Sequence, residues 1–103
     1  MRVIYYLQEN IDRNLTLQDL AGYFKYSESH FSALFLKETG TSPINYFIRL
    51  KIQKACQYIE LTDMKLNEIA LRLGFEEQAY FSRVFTKVMG VSPTAYRKKE
   101  ISE

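Results

Sequence analysis

The chain contains the same helical unit twice, and the second copy follows the first at an offset of about fifty residues. In each copy apolar residues precede a turn, and two phenylalanines, a glycine, a Ser-Pro pair and a tyrosine follow it. The first copy carries this pattern at Leu17, Leu20, Ala21, Phe24, Phe31, Phe35, Gly40, Ser42, Pro43 and Tyr46, and the second at Leu66, Ile69, Ala70, Leu73, Phe81, Phe85, Gly90, Ser92, Pro93 and Tyr96. Because stacked-repeat proteins usually need three or more units to bury a continuous core, two copies indicate a paired structure with two equivalent working surfaces.

Signals for helix starts and ends divide the chain into seven predicted helices. Thr16, Ser27 and Ser42 are good N-cap residues, and a proline follows Ser42 in the favoured first helical position. Gly40 and Gly90 supply left-handed helix ends. The predicted helices cover about 3–11, 17–24, 28–39, 43–60, 66–73, 77–89 and a last short helix from 93. The pattern predicts an all-α fold in which two helix-turn-helix subdomains, at about 3–42 and 61–100, are joined by a long central helix at about 43–60.

Composition narrows the class of protein. The chain has 103 residues, of which 47% are hydrophobic and 25% charged, as in an ordinary soluble domain, and a net charge of +2. The single cysteine, Cys56, cannot form an internal disulfide, and the chain lacks a cysteine and histidine cluster for zinc. The apolar stretch after Met1 and Arg2 is too short for a signal peptide or membrane span. We expect a cytoplasmic protein without a cofactor, a metal or a membrane partner.

The second helix of each helix-turn-helix carries an outward face of small or short side chains. In the first copy the inward side chains are Phe31, Leu34 and Phe35, so the helical period turns Ser29, Ser32, Ala33 and Leu36 outward. In the second copy the inward side chains are Phe81, Val84, Phe85 and Val88, and the outward ones are Ala79, Ser82, Arg83 and Thr86. A solvated surface helix is more often rich in lysine and glutamate. Small polar side chains let a helix approach the edges of bases in a major groove, so the pattern favours DNA binding.

At this point the chain resembles a known family. The run from Gly74 to Phe85, followed by Gly90-Val91-Ser92-Pro93 and Tyr96-Arg97, resembles the signature segment of the AraC/XylS family of bacterial transcription regulators. The stretch from Leu17 to Tyr46 resembles the first helix-turn-helix of that family, and the resemblance extends from about Ile4 to Lys99. It implies that residues 1–103 form one DNA-binding domain, with recognition helices at about 28–39 and 78–89 in successive major-groove segments on one face of the DNA.

The resemblance also implies which residues touch DNA. Base contacts fall on Ser29, Ser32 and Ala33 in the first recognition helix and on Gln78, Ala79, Ser82 and Arg83 in the second. Because Gln78 suits adenine while Arg83 suits guanine or a phosphate, we expect the second helix to specify more sequence. Phosphate contacts are expected from helix starts and nearby cations, at Thr41, Ser42, Arg49, Ser92, Arg97 and Lys98. For the basic end of the last helix, a solvated helix terminus is an equally good interpretation.

Two residues depart from the family pattern. Lys25 stands where many relatives have glycine in the first turn, and Lys65 replaces the usual capping serine or threonine of the fifth helix. The second change predicts a helix start that is less well capped by about 1 kcal/mol. His30 is the only histidine, and no nucleophile or base stands beside it in the sequence, so we predict that the protein is not an enzyme.

We interpret the chain as a sequence-specific double-stranded DNA-binding domain that binds bacterial promoters and contacts RNA polymerase. The alternative is a helical protein-protein interaction module whose exposed Leu36 and Tyr80 serve a protein partner; only DNA binding would lose affinity steeply with salt. In the family this domain usually lies C-terminal to a ligand-sensing or dimerising domain, for which these residues leave no room. We expect an excised fragment, with a short stand-alone regulator as the alternative.

Overall fold

The computed structural model describes residues 2–102, and this part of the chain forms seven helices. They are α1 (Arg2–Glu9), α2 (Leu17–Tyr23), α3 (Glu28–Thr39), α4 (Pro43–Leu61), α5 (Leu66–Arg72), α6 (Gln78–Met89) and α7 (Pro93–Ser102). Helices α2 and α3 form the first helix-turn-helix, α5 and α6 form the second, and the 19-residue α4 connects them. The predicted all-α fold with two helix-turn-helix units on a central helix is therefore confirmed. The molecule is elongated, with extents of 46 × 22 × 21 Å.

The predicted caps define most helix ends. The Thr16 hydroxyl accepts a hydrogen bond from the Asp19 amide at 3.0 Å, and the Asp19 carboxylate accepts one from the Thr16 amide at 2.8 Å. This reciprocal pair is a capping box. Ser27 and Ser42 each accept from the amide three residues further on. In the described part of the chain Lys65 makes no side-chain capping bond at the start of α5, as predicted.

The end of α1 differs from the prediction. The helix stops at Glu9, two residues before the predicted end at Ile11. Asn10 follows the last helical residue, and both its backbone amide and its side-chain amide donate to the Tyr6 carbonyl, at 3.1 and 2.8 Å. Ile11 keeps the apolar spacing of the helix although it lies in the turn, because it packs against both hydrophobic cores.

Each helix-turn-helix has its own core, and α4 contributes to both. Phe47 belongs to the first core, which also contains Phe31 and Phe35, whereas the second core takes Ile52, Ala55, Cys56 and Ile59 from α4 together with Phe81 and Phe85. Cys56 is buried, as an ordinary apolar residue would be. The central helix is thus a structural member of both halves and not an exposed linker.

Equivalent positions of the repeat make equivalent contacts. Phe35 meets Tyr46 edge-on with ring centroids 5.5 Å apart, and Phe85 meets Tyr96 in the same way at 5.7 Å. Aromatic pairs prefer such edge-to-face geometry. The sequence repeat is therefore also a repeat of side-chain packing.

The two halves meet where the turn of the second helix-turn-helix lies against the α1–α2 connection. Gly74 has φ +83°, and a Cβ atom added there would lie 3.0 Å from backbone atoms of Asp12 and Arg13. Only glycine fits this approach without displacing the backbone. Lys51 of α4 lies at the same junction, and its ammonium group donates hydrogen bonds to the carbonyls of Ile11, Arg13 and Leu73.

Of the helices within residues 2–102, none is both long and apolar enough to span a membrane. The same residues contain no group of three or more histidines, cysteines or carboxylates arranged to hold a metal ion.

Candidate nucleic-acid interface

The outward face of α3 is a shallow surface of short side chains. Phe31 and Phe35 are buried, Ser29 and Ala33 are exposed, and Ser32 is half-buried. The start of this helix is fixed by Ser27, whose hydroxyl accepts from the His30 amide at 3.2 Å. The structure therefore places the three predicted base-contacting residues of the first recognition helix at the surface.

The outward face of α6 is the counterpart of the α3 face in the repeat and is chemically richer. Gln78, Ala79 and Arg83 are exposed, and Ser82 is half-buried. Gln78 is the first residue of α6, so its amide side chain extends from the helix start. A glutamine and an arginine are the only long hydrogen-bonding side chains among the seven predicted base contacts. Contact of these seven residues with DNA stays a prediction.

The aromatic ring of Tyr80 supports Arg83. The guanidinium carbon of Arg83 lies 5.7 Å from the centre of that ring, within the range of a cation-π contact. Tyr80 in turn packs against Phe75 of the preceding turn, with ring centroids 5.9 Å apart. The position of Arg83 is thus coupled to the turn of the second helix-turn-helix through one aromatic side chain.

A groove runs between α4 and α6, beside the second recognition helix. It is lined by Arg49, Arg83 and Lys87, with Thr41 and Asn45 beside them. Two of the predicted phosphate contacts, Thr41 and Arg49, are therefore brought together with a predicted base contact. Three cations in one groove form a positive surface that suits a phosphate backbone.

A second cleft adjoins this groove and has a different charge; Ile48, Tyr80 and Arg83 line both. Glu76 and Glu77 line it together with Asn14 and the buried Lys51. These carboxylates lie at the start of α6, where the positive end of the helix dipole stabilises negative charge. The groove with three cations therefore suits a polyanion better than the second cleft, where two carboxylates offset Lys51 and Arg83.

The remaining predicted phosphate contacts lie at helix starts or on α7. The Ser42 and Ser92 hydroxyls accept from the amides of Asn45 and Ala95, so each already serves as an N-cap. A hydroxyl that accepts in this way also carries one proton that it can donate. Lys98 is exposed on α7.

Arg97 has a structural contact that the sequence analysis missed. Its guanidinium donates to the Met64 carbonyl at 2.6 Å and approaches the Thr62 carbonyl at 3.5 Å. It therefore fastens α7 to the connection between α4 and α5. The neighbouring Tyr96 hydroxyl donates to Glu60, and this bond raises the pKa of the Tyr96 phenol above its ordinary value.

Two further residues were missing from the predicted site. Lys87 lies one helical turn after Arg83 on α6, and that spacing was the available signal. Lys51 lies four residues after Phe47 and four before Ala55, so the helical period places it on the buried face of α4. Burial lowers the pKa of the Lys51 ammonium to about 8, although the Asp12 carboxylate acts in the opposite direction.

His30 lies at the surface beside Tyr26. It is exposed on α3, and its ring meets the Tyr26 ring edge-on at 5.1 Å. A solvated histidine beside an aromatic ring is an ordinary surface feature.

Two helix-turn-helix units on one central helix, each with a recognition helix at the surface, define a DNA-binding domain of the kind that transcription regulators carry. A helix-turn-helix domain family matches residues 20–99. The chain belongs to this family, the AraC-type helix-turn-helix domains.

Two curated relatives are similar to nearly the whole of this chain. The chain is 38% identical over 94 residues to the MmsAB operon regulatory protein of Pseudomonas aeruginosa, covering 91% of this chain and 31% of that protein. It is 33% identical over 101 residues to the transposon Tn10 TetD protein of Escherichia coli, covering 98% of this chain and 73% of TetD. The chain thus spans about a third of the length of the MmsAB regulator and most of TetD.

Solved structures share the fold closely. The C-terminal domain of AraT, a response regulator from Geobacillus stearothermophilus, is 34% identical with a TM-score of 0.92, and the match covers 95% of this chain and 82% of that one. The DNA-binding domain of the global transcriptional factor AdpA, solved in complex with a target DNA, is 26% identical with a TM-score of 0.93, covering 98% and 91%.

Proposed function

We propose that this domain binds double-stranded DNA sequence-specifically, with α3 and α6 in successive major-groove segments on one face of the duplex. The observation that carries this proposal is the pairing of two surface recognition helices with a cationic groove that lies beside the second of them. Consecutive major grooves on one face of B-DNA are separated by phosphate backbone and a minor groove. The cations of the groove suit that intervening backbone. The AdpA domain, which shares the fold, was solved with its target DNA.

Each predicted contact has a role in this proposal. Gln78 hydrogen-bonds an adenine edge, and Arg83 donates to guanine or to a phosphate. The serines at 29, 32 and 82 discriminate little, and the alanines at 33 and 79 contact thymine methyl groups. Phosphates are bound by Thr41, Ser42, Arg49, Ser92, Arg97 and Lys98, to which the structure adds Lys87 as a candidate. Arg97 would use guanidinium donors other than the one that binds the Met64 carbonyl.

In the cell, the domain would act at bacterial promoters and contact RNA polymerase. Similarity to the regulator of the MmsAB operon supports a role in transcription. We assign no sensing domain to these residues, because the helix-turn-helix units account for both hydrophobic cores. The whole of residues 1–103 then functions as one DNA-binding domain.

Selection of bound duplexes from a randomised pool tests the proposal. The expected product is an asymmetric site with two short blocks about one helical turn apart. Affinity for that site should fall steeply with salt, with a logarithmic slope of about −0.9 for each phosphate neutralised. Failure to enrich any sequence, with weak binding at every salt concentration, would overturn the proposal and favour a protein-interaction module.

A matched pair of variants tests the groove. Arg49→Ala should weaken binding to all sequences alike and reduce the salt slope by about 1. Lys54→Ala removes the same charge from the same helix, but Lys54 lines a different cleft, beside Gln8 and Gln57, and should leave the slope unchanged. Equal effects of the two substitutions would show that the groove has no special part in binding.

A further inference from the structure

Lys51 is the one charged side chain buried among the described residues, with 5% of its surface exposed. A buried ammonium loses its hydration and is retained only where other groups replace the lost hydrogen bonds. Its three donors are all used: Nζ lies 2.7 Å from the Ile11 carbonyl oxygen and 2.7 Å from that of Arg13, and it also donates to Leu73. The site is therefore fully satisfied.

The partners of Lys51 come from both halves of the molecule. Ile11 and Arg13 belong to the connection that leads into the first helix-turn-helix, whereas Leu73 ends α5 in the second. The aromatic contacts divide in the same way. Nζ lies 4.3 Å from the ring centre of Phe47 in the first core and 5.8 Å from that of Phe75 in the second.

The bond to Leu73 also has an electrostatic basis. The last carbonyls of a helix lack intrahelical partners and carry the negative end of the helix dipole. A positive charge at the end of α5 is therefore favourable, and α5 is the helix that supports α6 within the second helix-turn-helix. Lys51 thus links the segment between α1 and α2 directly to α5, the helix that supports the second recognition helix.

Gly74 provides independent support for a close joint at this place. Its backbone approaches Asp12 and Arg13 so closely that a Cβ atom would lie 3.0 Å from them. The halves also share α4, and a long helix can curve. A bond across the joint in the middle of α4 opposes that bending.

We propose that Lys51 is a positioning residue that fixes the orientation of α3 relative to α6 without touching DNA. The protein thereby measures the spacing between the two DNA blocks that its recognition helices bind. The part of this inference that concerns the spacing of the DNA blocks rests on the proposed function. The fixed orientation of the two helices is a property of the free protein.

The free protein provides the first test. In wild type, residual dipolar couplings of the α3 and α6 amides should fit a single alignment tensor, because the two halves form one rigid body. In Lys51→Met, whose unbranched side chain is one atom shorter and donates no hydrogen bond, the two helices should require separate tensors while each half keeps its own fold. Lys54→Met, a partly exposed lysine on the same helix, should behave as wild type.

DNA binding provides the second test. We expect wild type to bind its selected site much more tightly than a site with one base pair added between the blocks. In Lys51→Met this ratio should fall by roughly two- to thirtyfold, the usual range for coupling between sites. Lys51→Arg, which restores a positive charge with several donors, should recover most of the ratio, whereas a loss of general stability alone would not change the preference for spacing.

The outcomes separate the inference from the proposed function. If Lys51→Met does not fold, Lys51→Gln, which keeps two donors without the charge, replaces it in both tests. A single tensor and an unchanged spacing ratio in the variant would overturn the positioning role, as would two independent tensors in wild type. If wild type binds no DNA but the tensors separate in the variant, the proposed function fails and the structural role of Lys51 stands.

Discussion

The two helix-turn-helix units have the same plan but are stabilised by different means. In the first, the starts of α2 and α3 are capped by Thr16 and Ser27. In the second, Lys65 and Glu77 precede α5 and α6 and make no side-chain capping bond within the described residues. The second unit instead depends on contacts distant in sequence, at the Gly74 joint and through α7. One fold can thus be held by local hydrogen bonds in one copy and by tertiary packing in the other.

The turns show the same contrast. Lys25 at φ +63° and Gly74 at φ +83° occupy equivalent positions, and the following amides both bond back to an alanine carbonyl at 2.9 Å. A lysine is tolerated in the first turn because it is exposed there. In the second turn, the α1–α2 connection occupies the space that a side chain would need. The glycine is required by its neighbours as well as by its own conformation.

The largest expected effect comes from Gly74→Ala. It should lower the free energy of unfolding by about 2–4 kcal/mol, since left-handed strain adds to overpacking against Arg13. Gly90→Ala is the matched control, because it has φ +80° but no heavy atom of the described residues within 4 Å of its added Cβ. It should lose only about 1–2 kcal/mol. Equal losses in urea denaturation would show that the joint is not tightly packed.

The second prediction concerns unequal base recognition. Arg83→Ala should remove about 1–3 kcal/mol of discrimination at the base pair it contacts. Ser32→Ala should change base preferences much less, because a hydroxyl donates and accepts with little selectivity. Binding of each variant to a panel of single-base site variants measures both effects. If Ser32→Ala relaxes specificity more, the first recognition helix is the more selective one.

The third prediction concerns substitutions that make the helix caps of the two units alike. Lys65→Ser should raise the free energy of unfolding by about 1 kcal/mol, because its hydroxyl can accept from an orphan amide of α5. Thr16→Ala should lower it by a similar amount through loss of the capping box. Thermal unfolding of the two variants and the double variant checks both values. No gain from Lys65→Ser would mean that another group already satisfies the start of α5.

The smallest expected effect is a pH dependence of the folding stability that arises from Asp19 in the first unit. The Thr16 backbone amide donates to Asp19 and holds the pKa of this carboxyl below its ordinary value of 3.8. Between the folded pKa and the ordinary pKa, the unfolded chain therefore binds more protons than the folded chain. The stabilisation that the Asp19 carboxylate contributes is complete above the ordinary pKa and is lost as the pH falls through the folded pKa. The melting temperatures of wild type and Asp19→Asn should converge as the pH is lowered from about 5 through the folded pKa. A constant difference would contradict the role of the charge.

Local features made most of the fold predictable. A helix is determined by signals that lie within a few residues of each other in the sequence: the apolar spacing, the caps Thr16, Ser27 and Ser42-Pro43, and the helix-ending glycines. The helix starts and the outward faces were therefore predicted correctly. The end of α1 was misplaced because Ile11 continues the apolar period into a turn. The apolar period indicates which side chains face a core, and the side chain of a turn residue can also face a core.

The contacts that fasten the halves together were not predicted, for a physical reason. Lys51 finds its partners 22 to 40 residues away in sequence, and a lysine is ordinarily solvated. The role of Arg97 at the Met64 carbonyl likewise depends on a contact 33 residues distant. Resemblance to a family suggests which residues face DNA, but the three-dimensional path of the chain determines which cations are already engaged.

The central helix has a consequence for how such a chain can change length during evolution. Each residue of an α-helix advances the axis by 1.5 Å and rotates the next side chain by about 100°. A single residue inserted between Phe47 and Ile52 would turn one core away from the other by that angle, because both cores take side chains from α4. The turn of the second helix-turn-helix, by contrast, already holds one residue more than the first. Insertions and deletions should therefore accumulate in the turns, while α4 keeps a constant number of residues.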